Sequence, residues 1–332
     1  MKHFLHLSLR ILACSPLLLA ITCKKDVKEG NINGPSNSSD VVTTREYWVS
    51  PKTTDTTITT FLSTHFVTVQ TGGILKNILV VYIPGTNRTP SSSRAFTMKA
   101  ASMGYHALSL TYQNNTTGNG ICASTGDTSC HRRLRSEVLD GIDRHPSVVI
   151  SPVNSVIHRL TKLLIYLHKA QPTQGWGQYI LNGQVNWSKV IVSGHSQGGA
   201  LAGLIGKLYP VRRIVMFSIV DYLDNGKIPS WETLPANNEN YYALTNQNDE
   251  LIPWNKVRYI WTVTGWLSYG SVKNVDYILP PYSNTHMLIT NRSTPSTSID
   301  PYHNMTGVDS YIPKNAQGRY VYEKAWEYFL KP

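Results

Sequence analysis

Short apolar runs alternate along the chain with segments in which apolar residues recur at helical spacing. Four nearly continuous runs, typical of strands covered on both faces, lie at residues 77–83, 190–193, 213–220 and 241–245. In 156–167 and 197–208 the apolar residues instead recur every three or four positions, which predicts helices packed against a sheet. This alternation predicts the α/β fold class, with a mostly parallel central sheet and helices on both faces.

Further elements are predicted on both sides of this alternating core. The segments 47–50 and 57–69 are rich in Thr, Val and Phe, which is typical of antiparallel edge strands. Additional helices are expected at 92–102, 256–266 and 320–330, and additional strands at 105–111 and 272–279. Residues 280–290 are expected to form a loop. All these elements are assigned to one domain, residues 43–332.

The first 42 residues differ in composition from this domain. Residues 1–22 combine a basic start with an apolar run too short for a spanning helix, as in a secretory signal peptide. The run ends in Leu-Ala-Ile-Thr-Cys, which resembles a bacterial lipobox although Thr22 replaces the usual small residue, so Cys23 is the expected lipidation site. Residues 23–42 are polar and predict a disordered tether.

The N-terminal pattern therefore predicts an exported protein of the bacterial cell envelope, in the periplasm or at the outer membrane. Its expected attachment to the membrane is the lipid on Cys23. The alternative, an ordinary secretory signal cleaved nearby, also predicts export.

The composition limits the size of the core and the kind of partner. With 332 residues, 41% of them hydrophobic, the chain is long enough to bury one large core. The formal net charge is +11, or +9 once Lys2 and Arg10 leave with the signal peptide. The basic residues are scattered rather than gathered in an arginine-rich helix or a basic-aromatic platform, which argues against a nucleic-acid partner. We expect a monomer with a solvated basic surface.

One stretch combines a strand, a tight turn and a helix around a serine. Residues 190–193 predict a buried strand, and Gly194-His195-Ser196-Gln197-Gly198 predicts a sharp turn followed by an apolar helix. A serine at the apex of such a turn has a strained backbone, and only very small residues fit two positions before and after it. Gly194 and Gly198 meet that requirement. The pattern predicts that Ser196 is a nucleophile, the alternative being an ordinary strand-to-helix turn.

Carboxylates and histidines follow later in the chain. Asp221 and Asp249 each come after a predicted buried strand, and the apolar and rigid residues behind Asp249 are expected to hold its loop. His286 lies in the predicted loop 280–290, and His303 is the only other histidine after the two carboxylates.

These features resemble the α/β-hydrolase superfamily, in which the nucleophile, the acid and the histidine follow in that order along the chain. Within it, the chain is similar to a little-characterised group of exported bacterial serine hydrolases with a GHSQGG elbow. The similarity also rests on the segment with two cysteines, on Gly175-Trp176-Gly177-Gln178 and on 284–290. Because residues 222–239 are too short for the large cap of many relatives, the resemblance implies a minimal cap and an open site.

The resemblance implies a catalytic triad. Ser196 is the expected nucleophile and His286 the expected base, with His303 as the alternative histidine. Asp249 is the expected acid because it follows its strand with Leu251-Ile252-Pro253 behind it to fix the loop, and Asp221, which follows the preceding strand, is the alternative acid.

The resemblance also implies an oxyanion hole built from two backbone amides. One is the amide of Gln197, directly after the nucleophile. The other lies in the Pro84-Gly85-Thr86-Asn87 turn after an early buried strand, where Thr86 is favoured over Asn87.

The cysteines predict one disulfide. Cys14 and Cys23 belong to the signal region, so Cys122 and Cys130 are the pair that remains in the exported domain. His131 is the only further metal-ligand candidate beside them, which is too few for a zinc site. We expect neither a metal nor a cofactor.

The sequence thus predicts an exported serine hydrolase that cleaves an ester through an acyl-enzyme, on a small-molecule or polymer-borne substrate. A peptidase or an acyltransferase could use the same triad. A surface lipoprotein that uses the fold as a non-catalytic binding module is the alternative from another functional class.

Overall fold

A nine-stranded mixed sheet forms the centre of the protein in a computed structural model that describes residues 42–294 and 296–331. The strands of the described residues are β1 (Thr43–Val49), β2 (His65–Thr71), β3 (Leu79–Ile83), β4 (His106–Ser109), β5 (Ile180–Leu181), β6 (Gln184–Val185), β7 (Val190–His195), β8 (Arg213–Phe217), β9 (Tyr241–Asn246), β10 (Lys273–Asn274) and β11 (Met287–Thr290). Strands β5 and β6 pair only with each other, in a small hairpin outside the main sheet.

The strand order in the main sheet is β1-β2-β4-β3-β7-β8-β9-β11-β10. Strand β2 is antiparallel to both of its neighbours, whereas every pair from β4 to β10 is parallel. The loops that follow β3, β7, β8, β9 and β11 therefore leave the sheet at the same edge, which we call the carboxyl edge. Ligand sites of open parallel sheets form at this edge.

Helices cover both faces of the sheet. They are α1 (Pro51–Thr54), α2 (Arg94–Ser102), α3 (Gly118–Cys122), α4 (Cys130–Asp140), α5 (Val156–Ala170), α6 (Gln197–Leu208), α7 (Trp254–Val263), α8 (Pro301–Asn304) and α9 (Glu323–Leu330). Helices α2 and α9 pack on one face, and α4, α5, α6 and α7 pack on the other. The predicted α/β class, with a mostly parallel sheet between helical layers, is confirmed.

The central strands are apolar throughout because each of their faces meets a helical layer. In β3, Leu79 and Val81 pack with the layer of α4 to α7, whereas Val80 and Tyr82 pack with α2 and α9. In a strand buried on both faces, polar and apolar residues do not alternate, because every side chain enters a core. This explains the continuous apolar runs in the sequence. Burying one such apolar side chain contributes about 1.5–3 kcal/mol.

Three segments differ from their predicted structure. Of the strand predicted at 57–69, residues 57–64 lie outside any strand and only β2, from His65 onward, forms. The strand predicted at 272–279 is reduced to the two residues of β10, and the loop predicted at 280–290 ends in β11. Strand β11 is a buried run with β-branched residues, and it pairs in parallel with β9. His286 therefore precedes a parallel strand instead of following one.

The predicted signal peptide and nearly all of the tether, including Cys23, lie outside the described residues. None of the helices that the structure describes has both the length and the apolar character needed to cross a membrane.

Candidate active site

Ser196 occupies the turn between β7 and α6 with a strained backbone, at φ 52° and ψ −127°. The glycines two positions before and after it are required because a side chain at either position would collide with the backbone. A Cβ at Gly194 would lie 2.4 Å from the carbonyl carbon of Gly198, and a Cβ at Gly198 would lie 2.0 Å from the carbonyl oxygen of Ile83. The Gly-x-Ser-x-Gly pattern thus follows from the close approach of β3, β7 and α6, which presents Ser196 at the carboxyl edge.

Asp249 and His303 form a buried pair at the same edge of the sheet. The Nδ1 atom of His303 lies 3.0 Å from Oδ1 and 2.9 Å from Oδ2 of Asp249. The backbone N–H groups of Leu251 and Ile252 donate to Oδ1 of Asp249, each over 2.9 Å, and hold the carboxylate in place. Because the carboxylate keeps the proton of the neutral ring on Nδ1, Nε2 of His303 is left as the basic atom.

Helix α8 carries His303, and several groups hold this residue. The Glu250 carboxylate accepts hydrogen bonds from the backbone N–H groups of Tyr302 (3.1 Å) and His303 (2.9 Å). Nε2 of His195 donates to the backbone carbonyl of His303 over 2.9 Å. The side chain, the amide and the carbonyl of His303 are therefore each bound by a different residue.

Ser196 and His303 face common space. Two cavities, of about 260 and 220 Å³, are both lined by Ser196, His303, Thr86, Thr117 and Leu251. The larger one, here the apolar cavity, extends between Gly118, Arg135, Gln197, Ile219, Tyr222 and Ile252. The smaller one, here the polar cavity, extends between Asn87, Arg88, His195, Asp300 and Asn304.

The loop after β3 approaches Ser196 closely enough to form part of an oxyanion hole. A Cβ at Gly85 would lie only 3.1 Å from Cβ of Ser196. The hydroxyl of Thr86 donates to Oε1 of Gln197 over 3.0 Å, and Asn114 donates to the carbonyl of Gly85 over 2.7 Å, so the loop is held in place. Within the described residues, the backbone N–H groups of Thr86 and Gln197 have no hydrogen-bond acceptor. Both therefore keep a hydrogen-bond donor for a ligand.

Asp221, the alternative acid, belongs to a different buried group. Its carboxylate accepts two hydrogen bonds from the guanidinium of Arg135 and one, over 2.7 Å, from Nε1 of Trp231. Burial alone would raise the pKa of Asp221, but the positive charge of Arg135 and the hydrogen bonds outweigh it and lower the pKa. Asp221 is thus the partner of a buried cation, while His303 is bound to Asp249.

His286, the expected base, lies at the opposite edge of the sheet. It directly precedes β11, whereas Asp249 follows the parallel strand β9. Its ring stacks between Tyr242 and Tyr269, with centroids 4.0 and 4.8 Å away. Burial, together with the nearby charge of Arg213, lowers the pKa of His286 to about 4. The placement predicted for His286 is therefore wrong, and the alternative histidine, His303, occupies the position beside the acid.

The two cysteines of the domain lie at disulfide-bonding distance. The Sγ atoms of Cys122 and Cys130 are 1.98 Å apart, and the bond joins α3, which lines the apolar cavity, to α4, which carries Arg135. His145 lies beside them, with Nε2 3.3 Å from Sγ of Cys130. Although these three residues form a compact group of potential metal ligands, both sulfurs are bonded to each other and do not act as thiolate ligands.

Two features of the sequence signal the position of His303. The apolar segment 287–290, with its β-branched residues, is typical of a buried strand. The dipeptide Asp300-Pro301 is typical of a helix start, since aspartate favours the N-cap and proline the first helical position. Together they place His303 after a parallel strand. No local sequence pattern predicts that Glu250 binds the start of α8 or that Arg135 binds Asp221, because both residues have partners distant in sequence.

No family model matches the chain, and comparison with curated proteins yields no significant match. Function is therefore inferred from the geometry and chemistry of the site.

Proposed function

We propose that this protein is a serine hydrolase with an α/β-hydrolase fold that cleaves an ester through an acyl-enzyme. One observation carries the proposal: a serine at a strained strand-to-helix turn lines the same cavities as a histidine whose other ring nitrogen binds a buried carboxylate. Two backbone amides beside this serine, those of Thr86 and Gln197, supply the donors for an oxyanion.

The first half of the proposed reaction forms the acyl-enzyme. Oγ of Ser196 attacks the carbonyl carbon of the ester, and Nε2 of His303 takes the hydroxyl proton. The carbonyl oxygen becomes an oxyanion that accepts hydrogen bonds from Thr86 and Gln197, each typically worth about 3–4 kcal/mol in the transition state. The protonated His303, stabilised by Asp249, then gives its proton to the alcohol oxygen as the ester bond breaks.

The second half releases the acid. A water molecule takes the place of the alcohol, and His303 removes one of its protons while the oxygen attacks the acyl carbon. Collapse of the second tetrahedral intermediate returns the proton to Oγ of Ser196 and frees the carboxylic acid. The same groups act in both halves, so a change in any of them slows the whole cycle.

Hydrolysis of short p-nitrophenyl esters tests the proposal. Ser196→Ala and His303→Gln are each expected to lower kcat about 10³- to 10⁶-fold, because nucleophile and base act as one unit. A fluorophosphonate probe should label the wild type and leave Ser196→Ala unlabelled.

His286→Phe is the matched control, since a phenyl ring preserves the stack between Tyr242 and Tyr269. Its kcat should stay within about threefold of the wild type. Undiminished activity in folded Ser196→Ala would refute the nucleophile assignment. A large loss in His286→Phe together with full activity in His303→Gln would refute the proposed base.

A further inference from the structure

The two cavities that meet at Ser196 differ in chemistry. The apolar cavity has Ile219, Tyr222 and Ile252 in its wall, and its one charged side chain among the described residues, Arg135, is already paired with Asp221. The polar cavity has Asn87, Arg88 and Asp300 in its wall. Both volumes, about 260 and 220 Å³, lie below the roughly 300–1,000 Å³ typical of sites for drug-sized ligands. Each cavity therefore suits one small part of a substrate.

The position of His303 indicates which part each cavity takes. His303 lines both cavities, but its neighbours Asp300, at the N-cap of α8, and Asn304, at the end of α8, line only the polar cavity, whereas Gln197 lines only the apolar cavity. The leaving alcohol must lie on the side of the histidine, because His303 gives it a proton. The acyl group then extends to the other side, past the amide of Gln197. This orientation assigns the alcohol to the polar cavity and the acyl group to the apolar cavity.

The polar cavity contains a cation and an anion with unused hydrogen-bonding capacity. Nη2 of Arg88 donates to Oδ1 of Asn304 over 3.1 Å, and the guanidinium lies 5.3 Å from the ring centroid of Tyr311. Over the ranges 42–294 and 296–331, Arg88 forms no ion pair. Over the same ranges, the carboxylate of Asp300 accepts no hydrogen bond and forms no ion pair. Arg88 thus keeps N–H donors, and Asp300 keeps acceptors, for a ligand.

This pair of charges favours a ligand that is neutral and both donates and accepts hydrogen bonds. An anionic alcohol would be attracted by Arg88 and repelled by Asp300, and a cationic one would experience the reverse. A hydroxyl group accepts from a guanidinium and donates to a carboxylate, so adjacent hydroxyls satisfy both residues at once. We propose that the polar cavity binds a polyhydroxylated alcohol, such as one sugar ring, whose ester carries a short acyl group in the apolar cavity. This inference rests on the proposed hydrolase function.

The test compares two esters with the same acyl group. Methyl 6-O-acetylglucoside carries its acetyl group on a polyol, and ethyl acetate carries it on a simple alcohol. The kcat/KM of the wild type should be at least about tenfold higher for the sugar ester. Arg88→Gln and Asp300→Asn should each lower the ratio of the two kcat/KM values about five- to twentyfold, because each removes a hydrogen-bonding partner of the sugar.

The variants are chosen to keep the fold. Asparagine tolerates the left-handed backbone of Asp300, which has φ 50°. Arg94→Gln is the matched control, because Arg94 pairs with Glu46 on the surface, away from both cavities. This control should leave the selectivity ratio unchanged.

The outcomes separate the inference from the function on which it rests. Ser196-dependent hydrolysis of both esters with a ratio near one, or with a ratio that neither variant changes, would overturn the inference and leave the hydrolase proposal intact. A preference for the acetyl ester of a zwitterionic alcohol such as serine would overturn it as well.

If no ester is cleaved, the hydrolase proposal fails. Whether the polar cavity binds a polyol is then decided by a binding measurement. Saturation-transfer NMR of Ser196→Ala with methyl 6-O-acetylglucoside should then show a signal that Arg88→Gln in the same background abolishes. Absence of that signal, or its persistence in the double variant, would overturn the polyol assignment.

Discussion

The bonding partners of the two candidate carboxylates decide what each can do. Asp221 and Asp249 are both buried after parallel strands, and the local sequence favours Asp249 only through the residues 251–253 that hold its loop. Asp249 binds the imidazole of His303, whose Nε2 stays free to take part in proton transfer. Asp221 binds the buried guanidinium of Arg135, all of whose nitrogens are hydrogen-bond donors. The first pairing suits proton transfer, and the second suits a structural ion pair.

Substitution by asparagine should separate these two roles. Asp249→Asn is expected to lower kcat by up to about 10⁴-fold with the fold retained, because the ring loses the partner that orients it and stabilises its charged form. Asp221→Asn should instead lower the free energy of unfolding by about 3–5 kcal/mol, because it leaves Arg135 buried without a counter-charge. Urea unfolding and ester hydrolysis measure the two effects, with exposed Asp224→Asn as the control. A stable Asp221→Asn with greatly reduced kcat would contradict both assignments.

The direction of single elements decides which histidine reaches the site. Strand β11 runs parallel to β9, so a residue before β11 and a residue after β9 lie at opposite edges of the sheet. A strand of four residues spans about 13 Å, which no side chain bridges. His286 is separated from Asp249 in this way, whereas α8 follows β11 and returns His303 to the carboxyl edge.

Because α8 has only four residues, it depends on Glu250 to fix its first turn and thereby the ring of His303. Glu250→Ala should lower kcat for a p-nitrophenyl ester about 10- to 100-fold with a smaller change in KM, because the base is less well oriented. Glu250→Gln keeps an oxygen acceptor and should recover most of this loss. Exposed Glu239→Gln serves as the control. Equal loss in the Ala and Gln variants would indicate that the charge, rather than the positioning, of Glu250 matters.

Across the whole molecule, burial of histidines links stability to pH. Within residues 42–294 and 296–331, six buried histidines have pKa values lowered chiefly by burial: His65, His106, His131, His145, His195 and His286. The unfolded chain binds protons at these residues below about pH 6.5, where the folded protein does not. Their neutral burial therefore favours folding fully above that pH, and this contribution is lost as the pH falls.

His286→Phe tests this linkage at one position. Between pH 6.5 and 4 the wild type should lose stability, and the variant should lose on the order of 2 kcal/mol less, because the pKa of His286 is about 4 when folded. Urea unfolding at the two pH values measures the difference, and exposed His168→Gln should show the wild-type dependence. A variant with the same pH dependence as the wild type would show that His286 contributes nothing to acid sensitivity.

Features that depend on residues near each other in the chain could be predicted from the sequence alone. The alternating strands and helices follow from hydrophobic spacing, and the two glycines around Ser196 follow from the crowding at one turn. The pairing of Cys122 with Cys130 also involves only a short loop. In each case the physical constraint acts between residues of one short segment, so the sequence of that segment is enough to predict the feature.

The partners within the site were decided only by the tertiary structure. His286 and His303 are both histidines after the acid, and the parallel pairing of β11 with β9 places them at opposite edges of the sheet. Likewise, the choice between Asp221 and Asp249 depends on Arg135 and His303, which lie 86 and 54 residues away in the chain. Strand direction and long-range ion pairing arise from packing of the whole sheet, so the local patterns at 251–253, 287–290 and 300–301 favour a candidate residue without fixing its partner.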